Sequence, residues 1–233
     1  LGWFGISLYK SFNNRISSNN ISENAYGIHI SNSGNNTVTK NKVIFSYWAG
    51  IALDEYCHFN LVDRNIVTFN GRGGITLDDY CKNNTIIENA ITLNQWAGVI
   101  LYDGSSQNLI SRNLIQKNEY GLGLYVSKGN FIYKNNFIGN LYQVYTDSTS
   151  TSTWDNGSEG NYWDDYGGTD SNNDGIGDTP HVLDARNRDY YPLMNSYVEG
   201  DVNHDTTVDI FDAVRVAIAY GSTPTSPNWN PCA

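Results

Sequence analysis

Residues 74–81 read GITLDDYC, and residues 50–57 read GIALDEYC. The copies lie 24 residues apart and both keep the glycine, two aliphatics, two acids, a tyrosine and a cysteine. That interval is too short for a duplicated domain and suits a small unit stacked on its neighbour. The unit recurs in both directions. Glycines stand at 5, 27, 50, 74, 98 and 121, at intervals of 22, 23, 24, 24 and 23 residues. One residue after each comes an aliphatic lane: Ile6, Ile28, Ile51, Ile75, Val99 and Leu122. Two residues further comes another: Leu8, Ile30, Leu53, Leu77, Leu101 and Leu124. Aliphatics at period two predict a short strand with one buried face.

Later in each unit comes Asn-x-aliphatic-x-x-Asn. Its first asparagine is 14, 36, 60, 84, 108 and 130, and its second is 19, 41, 65, 89, 113 and 135. Ile16, Val38, Val62, Ile86, Ile110 and Ile132 follow the first asparagine as inward candidates. Ile21, Val43, Val67, Ile91, Ile115 and Phe137 follow the second. A unit this short holds three strands and three turns and cannot bury its own apolar face; stacked copies can. Asparagine at a bend tolerates left-handed backbone, and amides stacked about 4.8 Å apart bond to one another as a ladder.

These coils resemble right-handed parallel β-helix repeats of the carbohydrate-binding and sugar-hydrolase type, shared with pectate-lyase-like proteins. The resemblance spans about residues 1–146. It implies an all-β fold of three-strand coils about 23 residues long. Function does not follow from the scaffold alone.

Five of the nine acids in residues 1–146 gather on one expected patch. The lane four residues after each glycine reads Tyr9, Ser31, Asp54, Asp78, Tyr102 and Tyr125. The next reads Lys10, Asn32, Glu55, Asp79, Asp103 and Val126. Tyr102 and Tyr125, with Glu55, are candidate sugar-binding residues. Asp54, Asp78, Asp79 and Asp103 are the catalytic candidates if the patch cleaves sugars. The competing reading is a solvated acidic edge. The resemblance implies that a lyase of this fold needs a Lys, Arg or His base; Lys82, His58 and Arg72 are the nearby candidates, in no recognisable motif. Cys57 and Cys81 fall at equivalent positions, with Cα atoms expected about 4.8 Å apart, which allows either a disulfide or two buried thiols. Four scattered histidines and three cysteines suggest no copper or zinc site.

The formal charge of −10 argues against a nucleic-acid partner. It is unevenly distributed: residues 1–146 carry 9 acids against 11 Lys and Arg, residues 147–233 carry 15 against 3. The acidic third calls for cations. Asp170, Asn172, Asp174, Ile176 and Asp178 fall at positions one, three, five, seven and nine of a calcium loop, with Gly175 at the sharp turn. His181 stands where a bidentate glutamate would be, so Asp164, Asp165, Asp184 or Asp189 would complete the shell. The blocks GNYWDDY, DGIGDTP and YPLM in residues 154–194 resemble the tail of NosD-type β-helix proteins, which implies a segment closing the helix. Some members of that family are linked to maturation of a copper enzyme; many others are extracellular surface proteins.

A second loop, GDVNHDTTVDIFDAVRVAIAYG, places Asp201, Asn203, Asp205, Thr207, Asp209 and Asp212 at calcium-ligand positions before an expected short helix. It resembles one repeat of a type I dockerin, which implies a cohesin-like partner, although a dockerin has two such repeats. The expected organisation is therefore a β-helix over 1–146, a closing segment over 147–197 and a dockerin-like half module over 198–233.

No apolar run reaches membrane-spanning length. The chain opens at Leu1 without a signal peptide, which reads as a mature or excised piece, and sequons at Asn20, Asn35, Asn83 and Asn156 suit secretion. The leading expectation is an extracellular or cell-surface, calcium-loaded protein that binds a polysaccharide and assembles through its C-terminal module. The alternatives are a polysaccharide lyase or hydrolase, and a structural subunit of a fibre or surface layer. The latter follows from a first coil with no cap, which invites head-to-tail self-association into filaments.

Overall fold

The computed structural model describes residues 2–198 and 207–208. Among these residues the chain forms a parallel β-solenoid of three seven-stranded sheets, plus one two-stranded antiparallel pair, and no helix. The first face is built from Gly2–Tyr9, Asn24–Ser31, Ala49–Asp54, Gly73–Leu77, Ala97–Leu101, Tyr120–Leu124 and Tyr142–Thr146. Its register joins Ile28 to Ile51, Ile51 to Ile75, and Ile75 to Val99, one coil per repeat. The second and third faces use strands of mostly three residues, such as Leu61–Asp63 and Ile66–Thr68.

The four aliphatic lanes all point inward. Ile51, Leu53, Val62, Val67 and their equivalents in later coils are fully buried, while Ile6 and Leu8 of the first coil are only partly buried. The repeat glycines are required for space. A Cβ on Gly74 would lie 2.5 Å from Ile91 Cγ2 and 2.6 Å from the carbonyl oxygen of Gly98.

Both asparagine lanes form ladders with a direction. The backbone N–H and side-chain Nδ2 of Asn36 both donate to Asn60 Oδ1 at 3.0 Å, and Asn60 donates likewise to Asn84. Each coil thus gives protons to the coil after it. A third ladder, absent from the sequence reading, runs from the Ser46 amide through Asn70, Asn94 and Asn118 to Asn140. Cys57 and Cys81 are buried free thiols in a lane otherwise made of the partly buried Ser11 and the buried Ser33, Ser105, Ser127 and Ser150. Of the two sequence options, the thiol pair is the one present.

The segment after residue 147 closes the core. Trp163 lies over Phe137 with ring centres 4.3 Å apart, Trp154 packs beside it, and both indoles are buried. Two ladders end here on carboxylates. Asn161, last of the second ladder, gives its amide N–H to Asp189 Oδ2 at 2.7 Å. Asn140 donates to Gln143, which donates to Asp164. Asp164 and Asp189, two candidates to complete the calcium shell, therefore bond to the solenoid.

Burial pushes the Asp189 carboxyl up to about 6, against the lowering effect of hydrogen bonds from Asn161, Trp163 and Tyr191. A carboxyl raised above its unfolded value favours the folded state when protonated, so this group adds stability as pH falls from 6 toward 4. Asp147 and Asp184 have the opposite sign. Burial raises both, but hydrogen bonds from Thr149 and Val126 on one, and from Thr146 and Arg186 on the other, hold them below the ordinary range. Their contribution is present above about pH 4 and is lost as pH falls further. Burial also lowers the His181 pKa, which costs stability over the same interval. The Asp189 contribution is therefore read as the difference between parent and Asp189→Asn, expected to grow by a few degrees of melting temperature in the parent's favour from pH 7 to pH 5. A difference that stays constant or shrinks over that range would contradict the assignment.

Candidate functional site

The outer wall of the first face carries a cleft, and its shape follows from three outward lanes. The lane just before each repeat glycine reads Phe4, Tyr26, Ala49, Gly73, Ala97, Tyr120 and, by register, Tyr142. It is bulky at both ends and small in the middle three coils. The lane two after each glycine supplies Ala52, Thr76 and Ile100 to the floor. The lane two before each glycine builds one side wall from Trp48, Arg72 and Trp96. The Arg72 guanidinium lies 4.8 Å from the Trp48 ring centre and 5.9 Å from that of Trp96, wedged between two indoles. Asp54, Asp78 and Tyr102 border the cleft from the other ends of the strands.

Aromatic stacks stand at each end of the cleft along the solenoid axis. Phe4 stacks on Tyr26 and His29 at one end. At the other, Tyr102 stacks on Tyr125 at 4.9 Å, and Tyr125 on Tyr145 at 4.8 Å. Tyr125 therefore has both ring faces occupied and acts as a buttress, while Tyr102 borders the cleft. His29, which the sequence reading passed over, sets Nε2 3.5 Å from Asp54 Oδ2.

The acidic candidates divide into two groups. Asp54 and Asp78 are half-buried at the cleft rim, whereas Glu55, Asp79 and Asp103 are exposed on the adjoining corner. Ser31 Oγ donates to Glu55 at 2.8 Å. Asp78, Asp79 and Asp103 bring carboxylate oxygens within 4.8 Å of one another. Burial, then the charges of Asp54, Asp79 and Asp103, raise Asp78 above the ordinary carboxylate range, against a hydrogen bond from the Asp79 amide. Asp79 is also raised, by its slight burial and then by neighbouring acids. The three proposed bases are spread out: Arg72 is in the cleft, while His58 and Lys82 sit in one lane beyond the Tyr56/Tyr80 corner.

In the 170–178 loop the acids bond to the loop itself. Asp170 accepts the amides of Asp174 and Gly175, Asp174 that of Ile176, and Asp178 that of Ser171. Asn172 donates to Asp174, and Gly175 takes φ +85° at the bend. Thr207 is exposed, and Asp201, Asn203, Asp205, Asp209, Asp212 and the expected helix lie outside the described residues.

A family model described as periplasmic copper-binding protein (NosD) matches residues 4–168. A probable ABC transporter binding protein NosD of Stutzerimonas stutzeri is 45% identical over 60 residues, which are 24% of this chain and 14% of that protein. Its namesake in Pseudomonas aeruginosa is 40% identical over 63 residues, 26% of this chain and 15% of the relative. The matches thus span only a small part of these curated relatives. Among solved structures, the periplasmic alginate epimerase AlgG aligns with a TM-score of 0.59 and 24% identity, over 65% of this chain and 36% of that one. That likeness is one of fold. The described residues do not fit a copper centre. Among them the one cluster of potential ligands is Asp78, Asp79 and Asp103, three hard carboxylates that no histidine or cysteine joins.

Proposed function

The chain belongs to the NosD family, and on that footing we propose that it is a secreted or surface-held carbohydrate-binding protein whose binding site is the cleft on the first face. One observation carries the reading. Where the outer lanes shrink to Ala49, Gly73 and Ala97, two tryptophans and two carboxylates face one depression. Indole surface suits the apolar face of a sugar ring, and carboxylates accept its hydroxyls. AlgG, an alginate epimerase on a similar scaffold, agrees with this use of it. A glycan array is the test. Trp48→Ala with Trp96→Ala is expected to lose at least about tenfold in affinity for the best-bound glycan, at little cost in melting temperature. Full affinity in that double variant would sink the reading.

The second reading is a polysaccharide lyase or hydrolase, favoured by the His29–Asp54 pair at the rim of the same cleft. It requires new reducing ends to appear from a bound glycan and to vanish in Asp54→Asn.

We further propose calcium as the cofactor of the acidic C-terminal third, at Asp170, Asn172, Asp174, Ile176 and Asp178 and in the dockerin-like loop. Support comes from alternating oxygen donors around a glycine turn and from the local excess of acids. Excess chelator is expected to lower the melting temperature and to open residues 154–194 to protease before the coils. An unchanged cleavage pattern would count against it.

A further inference from the structure

The cleft continues onto two corners of the same coils, and we propose that it takes an extended segment of an uncharged polysaccharide lying across the coils, at right angles to the solenoid axis. This rests on the carbohydrate-binding reading above. At the corner before the first face, Phe45 and Phe69 stack at 5.5 Å while 53% and 45% exposed, with Tyr47 beside them 67% exposed. At the corner after it, Tyr56 and Tyr80 stack at 5.6 Å, nearly parallel and more than half exposed, and Phe59 follows. Tyr80 lies flat over Gly104, where a Cβ would come 2.7 Å from its ring.

None of these rings serves the solenoid core. Five of the six, all but Tyr47, stand at positive φ, between 54° and 63°, a backbone that Asn or Gly adopts at lower cost. The first lane carries Glu23 before these coils and Leu93 then Lys117 after them, and the corner lanes on the other side carry Asn32, Asn35 and Asn83. These six exposed rings thus sit on two adjacent coils, on both sides of the cleft, where a contiguous apolar patch marks an interaction surface. Along the axis, by contrast, stacked rings close the cleft at each end. The six residues of Ala49–Asp54 span about 20 Å, the length of about four pyranose rings in an extended chain.

Charge selects the class of polymer. Asp54, Glu55, Asp78, Asp79 and Asp103 line the path against Arg72 and Lys82, so a polyanion meets net repulsion while a neutral chain offers hydroxyls to the same carboxylates.

The test uses the whole protein with size-fractionated oligomers of cellulose, mannan and xylan, and alginate oligomers as the anionic comparison. Affinity for at least one neutral series is expected to rise about tenfold or more between two rings and five. Phe45→Ser with Phe69→Ser, or Tyr56→Ser with Tyr80→Ser, should remove that rise and leave two-ring binding intact. Tyr142→Ser with Leu141→Ser, exposed residues placed along the axis, should leave the rise in place. Binding that needs Trp48 and Trp96 but is flat with length, is lost along the axis instead, or is confined to alginate, overturns the proposal and spares the cleft reading. No binding of any glycan overturns both.

Discussion

An Asn89→Ala protein is expected to lose about 4 kcal/mol or more of stability, enough to leave much of the chain unfolded or insoluble. Asn89 Oδ1 accepts both the amide and the Nδ2 of Asn65, at 2.9 Å each. Its own Nδ2 donates to the carbonyls of Val62 and Ile87 and to Asn113 Oδ1. Truncation orphans the buried Asn65 amide, at about 1–3 kcal/mol, and takes a donor from the Val62 and Ile87 carbonyls, the latter keeping the Arg64 amide, beyond the loss of the bonds to Asn113 and from Asn65 Nδ2. Asn89→Asp should be no better. It keeps the acceptor but turns a charge toward three groups that can only accept. Urea unfolding followed by tryptophan fluorescence measures the loss. A midpoint close to the parent's for Asn89→Ala would show that the ladders are dispensable.

Gly74→Ala is expected to cost about 3 kcal/mol, lowering the melting temperature by about 10 °C. The added methyl meets the carbonyl oxygen of Gly98 at 2.6 Å and Asn94 Nδ2 at 2.8 Å, as well as Ile91. A carbonyl held in a sheet cannot step aside, so the coil spacing must open. The contrasting change is Gly129→Asn: its φ is +65° with open space around it, and asparagine tolerates that backbone, so little loss is expected. Equal melting temperatures for the Gly74 variant and the parent would remove the steric account of the glycine lane.

How much of this was legible depends on what repeats. Every coil must meet the same inward constraint, so the glycines, the four aliphatic lanes and two asparagine lanes recur six times and give the fold away. The third ladder escaped because Ser46 interrupts its run of asparagines. The cysteine pair stayed ambiguous because the serine lane to which it belongs was not aligned.

The sequence reading named part of the cleft: Asp54, Asp78, Arg72 and Tyr102 line it, whereas Trp48, Trp96 and the small floor residues were not singled out. Acids recur in adjacent coils and draw attention, whereas Trp48, Arg72 and Trp96 share a lane and differ in kind. The depth of the site comes from what is missing at Ala49, Gly73 and Ala97, between Tyr26 and Tyr120. A search for recurrence passes over a lane whose information is its variation. Asp189 was harder still, since its partners Asn161, Trp163 and Tyr191 meet it through the chain's return and no period announces them.

The one-way ladders bear on how the chain is made. A growing solenoid that leaves a ribosome or a translocation pore N-terminus first always has asparagine protons waiting for a coil that has not yet emerged. Each new coil relieves the one before it and inherits the same need. An ionised carboxylate has no proton to give, so Asp164 and Asp189 end the relay at the point where the core also meets its tryptophan lid. Along the Oδ1 ladders, synthesis order and hydrogen-bond order therefore run the same way, while each Nδ2 also reaches back to a carbonyl of the coil already made, and the late acids are where the forward bonds end.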